Sequence, residues 1–186
     1  MNESHQHTRY TLVAVFLHWL TFILLLLIYP AIEIAGVLAP GSELADSLEN
    51  WHIAAGLALI PVVIVRFLIM RRTQSPAIVP PIAGWQSSLT QLVKKLLYLF
   101  LFVAPFSGWI FLSADGALIS VGIIPIPAIA PESRGLADLA QTIHFFAALG
   151  GYALILIHVL AALAQHYLFR NNTLERMAPW VRGRQS

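Results

Sequence analysis

TIHFFAALGGYALILIH, residues Thr142 to His158, is the stretch that decides how this chain folds. It carries two histidines and no charged residue, and it continues apolar to Phe169. About 20 mostly apolar residues suffice for a helix to cross a bilayer. His144 and His158 stand 14 residues apart, which on a helix is about 21 Å along the axis and within about 40° of the same face. Ionisable groups at membrane depth are costly and mark function. Two of them on one face, at two depths, raise the question of what lies opposite.

Three further stretches are long and apolar enough to span. They run from about Tyr10 to Ala35, Trp51 to Met70 and Leu92 to Leu112, with the last span from about Ile143 to Phe169. None shows the alternation of a barrel strand. The first is too long for the 7–15-residue apolar region of a signal peptide and contains His18, so it is read as retained. Composition agrees: 58% of the 186 residues are hydrophobic and 11% charged, against about 25% charged in soluble domains. Mean hydropathy is +0.75. The expectation is one all-α domain over residues 1–186, an integral membrane four-helix bundle. The chain has no cysteine, which removes disulfides, iron–sulfur clusters, thiolate ligation of haem and the covalent attachment of c-type haem.

Charge gives the bundle a direction. Arg9 precedes the first span, Arg66 lies just inside the second, and Arg71, Arg72, Lys94 and Lys95 lie between the second and third. Arg170, Arg176, Arg182 and Arg184 follow the fourth. The other two loops carry Glu43, Asp46, Glu49, Asp115, Glu132 and Asp138, with Arg134 as their only base. The positive-inside rule then predicts that both termini are cytoplasmic. Pro76, Pro80 and Pro81 mark an extended cytoplasmic loop from Thr73 to Gln91. The connection from Ser113 to Leu139 contains an apolar run, Ala117 to Ala130. It is expected to lie in the interface or fold over the outer end of the bundle.

That direction sorts the histidines. His18 lies about two turns from the cytoplasmic end of the first span, His52 at the outer start of the second, and His144 and His158 near the outer and inner ends of the fourth. His52 and His144 therefore form an outer pair, and His18 and His158 an inner pair, each from two helices. A planar macrocycle standing between helices needs this arrangement: two axial imidazoles from opposite sides, once per level. Zinc recruits three or four ligands at one point, which two histidines per level do not supply. Gly56, one turn from His52, and Gly151, midway between His144 and His158, would let a macrocycle approach the backbone. Arg66, 14 residues after His52, falls near the inner level, where haem propionates want a cation. Taken singly, a membrane histidine often serves helix–helix hydrogen bonding, and Arg66 could snorkel. It is the depth matching of all four histidines that favours two b haems. His5 and His7 read as solvated tail residues, Gln165 and His166 as inner-boundary residues that could meet a quinone or a propionate or simply cap the span, and Trp19, Trp51, Trp85 and Trp109 as interfacial anchors.

At these residues the sequence resembles the bacterial cytochrome b561 family. The resemblance rests on FLHWL around His18, WHIAAG around His52, the Thr142–His158 stretch and the tail AALAQHYLFRNNTLERMAP. It covers nearly the whole chain. It implies a multi-pass di-haem b cytochrome of the bacterial inner membrane, with His18, His52, His144 and His158 at the family's ligand positions. It further implies electron exchange with quinone, ubiquinone in particular, and superoxide oxidation as one described activity.

Superoxide is an anion and is drawn by positive fields, whereas the outer loops here are acidic. The general expectation is thus haem-mediated electron transfer between a periplasmic one-electron partner and quinone, with superoxide:ubiquinone oxidoreductase as its specific form. The alternatives are an anchor subunit passing electrons between a dehydrogenase or hydrogenase and quinone, and a non-redox transporter or sensor. The bilayer and quinone are the expected partners; neither a nucleic acid nor an obligatory protein partner is expected.

Overall fold

A computed structural model describes residues 9–178, 180 and 181. His5, His7, Arg182 and Arg184 lie outside the described residues. Four long helices dominate: α1 (Leu12–Val37), α2 (Glu43–Arg72), α3 (Gly84–Ala114) and α4 (Arg134–Tyr167). All four are long and apolar enough to cross a membrane, and the protein is an all-α membrane four-helix bundle.

The helices outrun the apolar windows because their ends are capped in the polar flanks. Thr11, Ser42 and Ser133 each accept a hydrogen bond from the third residue into α1, α2 and α4, from Ala14, Ala45 and Leu136, satisfying amide groups that the first turn leaves free. Glu43 and Asp46 in the first turn of α2 and Arg71 and Arg72 in its last complement the helix dipole. The loop expected from Thr73 to Gln91 accordingly shortens, because α3 starts at Gly84. Gln86 folds back there to accept from the Ala83 amide at 3.1 Å. Pro30, Pro61 and Pro105 sit inside α1, α2 and α3, as spanning helices tolerate.

The apolar run after α3 folds over the end of the bundle. Strands β1 (Ser120–Val121) and β2 (Ile124–Pro125) pair antiparallel around a turn in which Gly122 has φ 60°. Ile119 is buried, and the segment packs near Asn50 and Ile53 of α2. Trp109 Nε1 donates to the Pro127 carbonyl at 3.1 Å, and the Ile129 amide donates to Ser113 Oγ at 3.1 Å. Leu118 and Ile123 stay fully exposed.

At the opposite end the two chain ends and the α2–α3 loop meet. Tyr10 N donates to the Arg176 carbonyl at 3.3 Å, and Asn172 N to Val79 O at 3.0 Å. The Val79 amide returns a bond to Asn172 Oδ1 at 2.9 Å. Trp19 Nε1 donates to Met177 O at 2.7 Å, so this tryptophan holds the C-terminal segment rather than anchoring freely in the interface. The basic segments flanking the helices thus gather at one end, here called the terminal end. The acidic connections occupy the other, the hairpin end.

Packing is uneven. The helices close as two hairpins, α1 on α2 and α3 on α4, joined by a narrower contact of α2 with α3. The core of Ile28, Ala55, Leu59, Val63, Phe100, Leu101 and Ala104 comes from α1, α2 and α3 alone. Helix α4 buries only Ala137, Ala140 and Gly151. Among the described residues its backbone does not pack on α1 or α2, and side chains bridge that gap.

Candidate functional site

The gap holds the four histidines in two pairs. Towards the hairpin end, His52 of α2 and His144 of α4 have ring centres 6.0 Å apart and planes at 89°. Towards the terminal end, His18 of α1 and His158 of α4 have centres 6.2 Å apart and planes at 73°. Metal–imidazole bonds are about 2 Å long, so two rings facing across one ion, with their own radii added, have centres about 6 Å apart. Both pairs meet that spacing. Among the described residues no three His, Asp or Glu side chains converge as a zinc site requires. Two nitrogens per level suit an ion whose remaining ligands come from a macrocycle.

The hairpin-end pair is oriented by backbone. His52 Nδ1 lies 2.9 Å from the Ile28 carbonyl, and His144 Nδ1 lies 2.8 Å from the Ala104 carbonyl. A carbonyl only accepts, so each Nδ1 carries the proton and donates it. In the neutral ring Nε2 is then left with its lone pair, the form that ligates metal. Gly108 of α3 makes room for this pose: a Cβ there would sit 3.0 Å from the His144 ring. Sequence reading missed Gly108, because a lone glycine in a span looks like ordinary helix packing. Around Gly56, by contrast, nothing stands within 4 Å of where a Cβ would be, which leaves space one turn from His52.

The terminal-end pair has different surroundings. Arg66 lies where the sequence puts it, and its Nη2 donates to His18 Nδ1 at 2.9 Å. Its guanidinium carbon stands 5.6 Å from the centre of the Tyr98 ring. Arg66 Nε and Tyr98 Oη are both buried without a hydrogen-bond partner. Buried polar groups are rarely left so, and each orphan needs an explanation. Donors without acceptors beside a histidine pair are what haem propionates would satisfy. Nearby, Arg176 is 7% exposed and bonds Tyr10 Oη at 3.2 Å through Nη2.

Between the levels, Gly151 admits side chains. A Cβ on it would run into the Tyr29 hydroxyl and the Phe100 ring. These two aromatic groups stand against α4 at its closest small residue, midway along the helix between His144 and His158. Gln165 and His166 are occupied with the chain's own tail: Asn171 Nδ2 donates to Gln165 Oε1, and His166 Nδ1 stands 3.9 Å from Glu175 Oε1. They cap α4.

A membrane four-helix bundle with two cross-helix histidine pairs defines a class, the membrane electron-transfer proteins that hold haem between helices. The family model for prokaryotic cytochrome b561 matches residues 9–180, and the chain belongs to that family. The chain is 32% identical over 172 residues to cytochrome b561 homolog 1 of Escherichia coli K12, covering 92% of this chain and 97% of that protein. It is also 32% identical over 178 residues to the probable superoxide oxidase CybB of Yersinia pestis, covering 95% and 99%. With cytochrome b561 homolog 2 of E. coli K12 the identity is 27% over 187 residues, covering 95% of each. The family binds b-type haem, and its membership makes this a bacterial inner-membrane electron-transfer protein.

Proposed function

We propose that the protein binds two b haems, one between His52 and His144 and one between His18 and His158, and passes electrons from a periplasmic one-electron donor to the quinone pool. The observation that carries this reading is the pair of ring separations, 6.0 and 6.2 Å, in two places along one bundle. Haem supplies an iron that takes up and releases single electrons without bond making. The residues do the rest. The Ile28 and Ala104 carbonyls hold the outer imidazoles in the ligating tautomer. Arg66 and Tyr98 offer donors to the inner propionates, and Tyr29 and Phe100 keep the two levels apart. The basic terminal end faces the cytoplasm, which puts the His52–His144 level towards the periplasm.

Two one-electron donors are needed per quinone. With superoxide the balance is two superoxide anions, one quinone and two protons giving two dioxygen molecules and one quinol. The name of the Yersinia relative supports superoxide as donor. The charges do not add an attractive field, since Arg134, the single base of the outer loops, is spent on Asp138 at 3.3 Å.

The test is spectroscopic. Purified protein should show reduced-minus-oxidised b-haem bands at two haems per chain. Superoxide pulses should then reduce them, and quinone should re-oxidise them. A colourless folded protein ends the haem reading, and haems that stay oxidised under superoxide end the specific donor.

A further inference from the structure

One charged residue of the spanning segments has no part in the site above. Glu33 lies in α1, flanked by Ala31, Ile32, Ile34 and Ala35, and its side chain is exposed on the outside of the bundle. A carboxylate on a lipid-facing helix is costly and functional by default. An acid near a helix end can simply reach towards the interface, but this one is held across the gap. Tyr152 of α4 donates to Glu33 Oε1 at 2.7 Å. The Tyr152 ring stands 4.2 Å from that of Tyr29, whose hydroxyl donates to the Ala148 carbonyl at 2.9 Å. The backbones of α1 and α4 do not pack here. Exposed apolar side chains neighbour the pair in sequence: Ile32 is 38%, Ile34 47% and Leu149 54% exposed. Tyr152, 41% exposed, sits eight residues after His144 and six before His158, about 12 and 9 Å along the helix axis.

A carboxyl, a phenol and an aromatic face thus meet on the lipid-facing side of the α1–α4 boundary, with Glu33 on the hairpin-end side of Ile28, whose carbonyl bonds His52. We propose that Glu33 and Tyr152 form the site where a membrane quinone docks its headgroup and receives its protons. This rests on the quinone reading above and gives it residues. To become quinol the quinone needs two electrons, which haem held by the histidine pairs would supply one at a time, and two protons. Tyr152 turns its hydroxyl from Glu33 to a quinone oxygen and orients it. Glu33 delivers each proton in turn and recovers it from water at the nearby helix end. The headgroup enters laterally from lipid.

The experiment uses haem-loaded protein in lipid nanodiscs, reduced beforehand and mixed with either a short-chain ubiquinone analogue or ferricyanide, a water-soluble oxidant that needs no proton. Glu33→Gln keeps a hydrogen-bond acceptor for Tyr152 but cannot deliver a proton. It should slow re-oxidation by quinone by about 100-fold at saturating quinone with KM held. Tyr152→Phe should raise KM about tenfold, the worth of one hydrogen bond of about 1.4 kcal/mol. Both should keep their haem content and the wild-type rate with ferricyanide. Wild-type rates with quinone in Glu33→Gln overturn the proposal, as does equal slowing with both oxidants, which marks a disturbed haem site. If Tyr152→Phe loses haem, Glu33→Gln decides alone. If wild-type protein is re-oxidised by ferricyanide and not by quinone, the quinone reading itself fails and this site falls with it.

Discussion

The two histidine pairs have nearly the same ring separation and opposite surroundings. Each ring of the His52–His144 pair is tied to a main-chain carbonyl, Ile28 or Ala104, so its tautomer is set by the helix backbone alone. The inner His18 accepts from Arg66, and arginine can only donate. While that bond stands, a neutral His18 keeps its proton on Nε2, the nitrogen needed for ligation. Arg66 Nε and Tyr98 Oη are orphaned beside it, so an anionic propionate bound there would compete for the guanidinium and would free His18 Nδ1 to carry the proton. The His52–His144 level is prepared by backbone, and the His18–His158 level would be completed by the cofactor proposed for it.

The largest effect should come from breaking one level. His144→Ala should lower the haem content from two to one per chain, with the remaining haem showing the inner potential. His52→Ala should do the same, and loss of both haems from either folded variant would contradict the pairing. Arg66→Gln separates the levels more finely. A unit charge about 8 Å from an iron, at an effective dielectric of about 20, contributes about 2 kcal/mol. At 59 mV per tenfold change in equilibrium constant, removing it should lower the inner midpoint potential by about 90 mV, because the oxidised iron carries the extra positive charge. The outer potential should stay nearly unchanged in the same redox titration, and equal shifts at both levels would mean that Arg66 does not distinguish them.

Gly108→Ala acts on the outer level alone. Its Cβ would press the His144 ring at an overpacking cost of about 1 kcal/mol, so outer haem occupancy under limiting haem should fall about fivefold. The smallest effect concerns the donor. The acidic outer loops repel an anion, so the rate of haem reduction by superoxide should rise by about twofold when added salt screens them. A rate that falls with salt would reveal an attractive path that the outer charges do not suggest.

The spans, their number and the four histidines were legible because hydropathy and depth are properties of one helix at a time. Arg66 was legible for the same reason: its 14-residue offset from His52 fixes its level. What the sequence withheld depends on two helices at once. No local pattern shows that Ile28 and Ala104 expose carbonyls to histidine, that Gly108 faces His144, or that Tyr29 and Phe100 fill the space at Gly151. Helix ends were drawn short because hydropathy ignores the caps Ser42 and Ser133, which carry α2 and α4 into polar flanks. Gln165 and His166 lie on the face of α4 that the tail covers, and only the fold of residues beyond Tyr167 shows it.

The loose docking of α4 bears on how the protein is made. Synthesis delivers two helical hairpins into the membrane in turn, each closed on itself, and direct packing between the halves comes mainly from α2 against α3. Each proposed haem is clasped by one histidine from either half. Cofactor supply would therefore act as the fastening step of biogenesis. In cells starved of haem the two halves should part readily, and the unfastened chain should be cleared by membrane quality control long before its coloured counterpart.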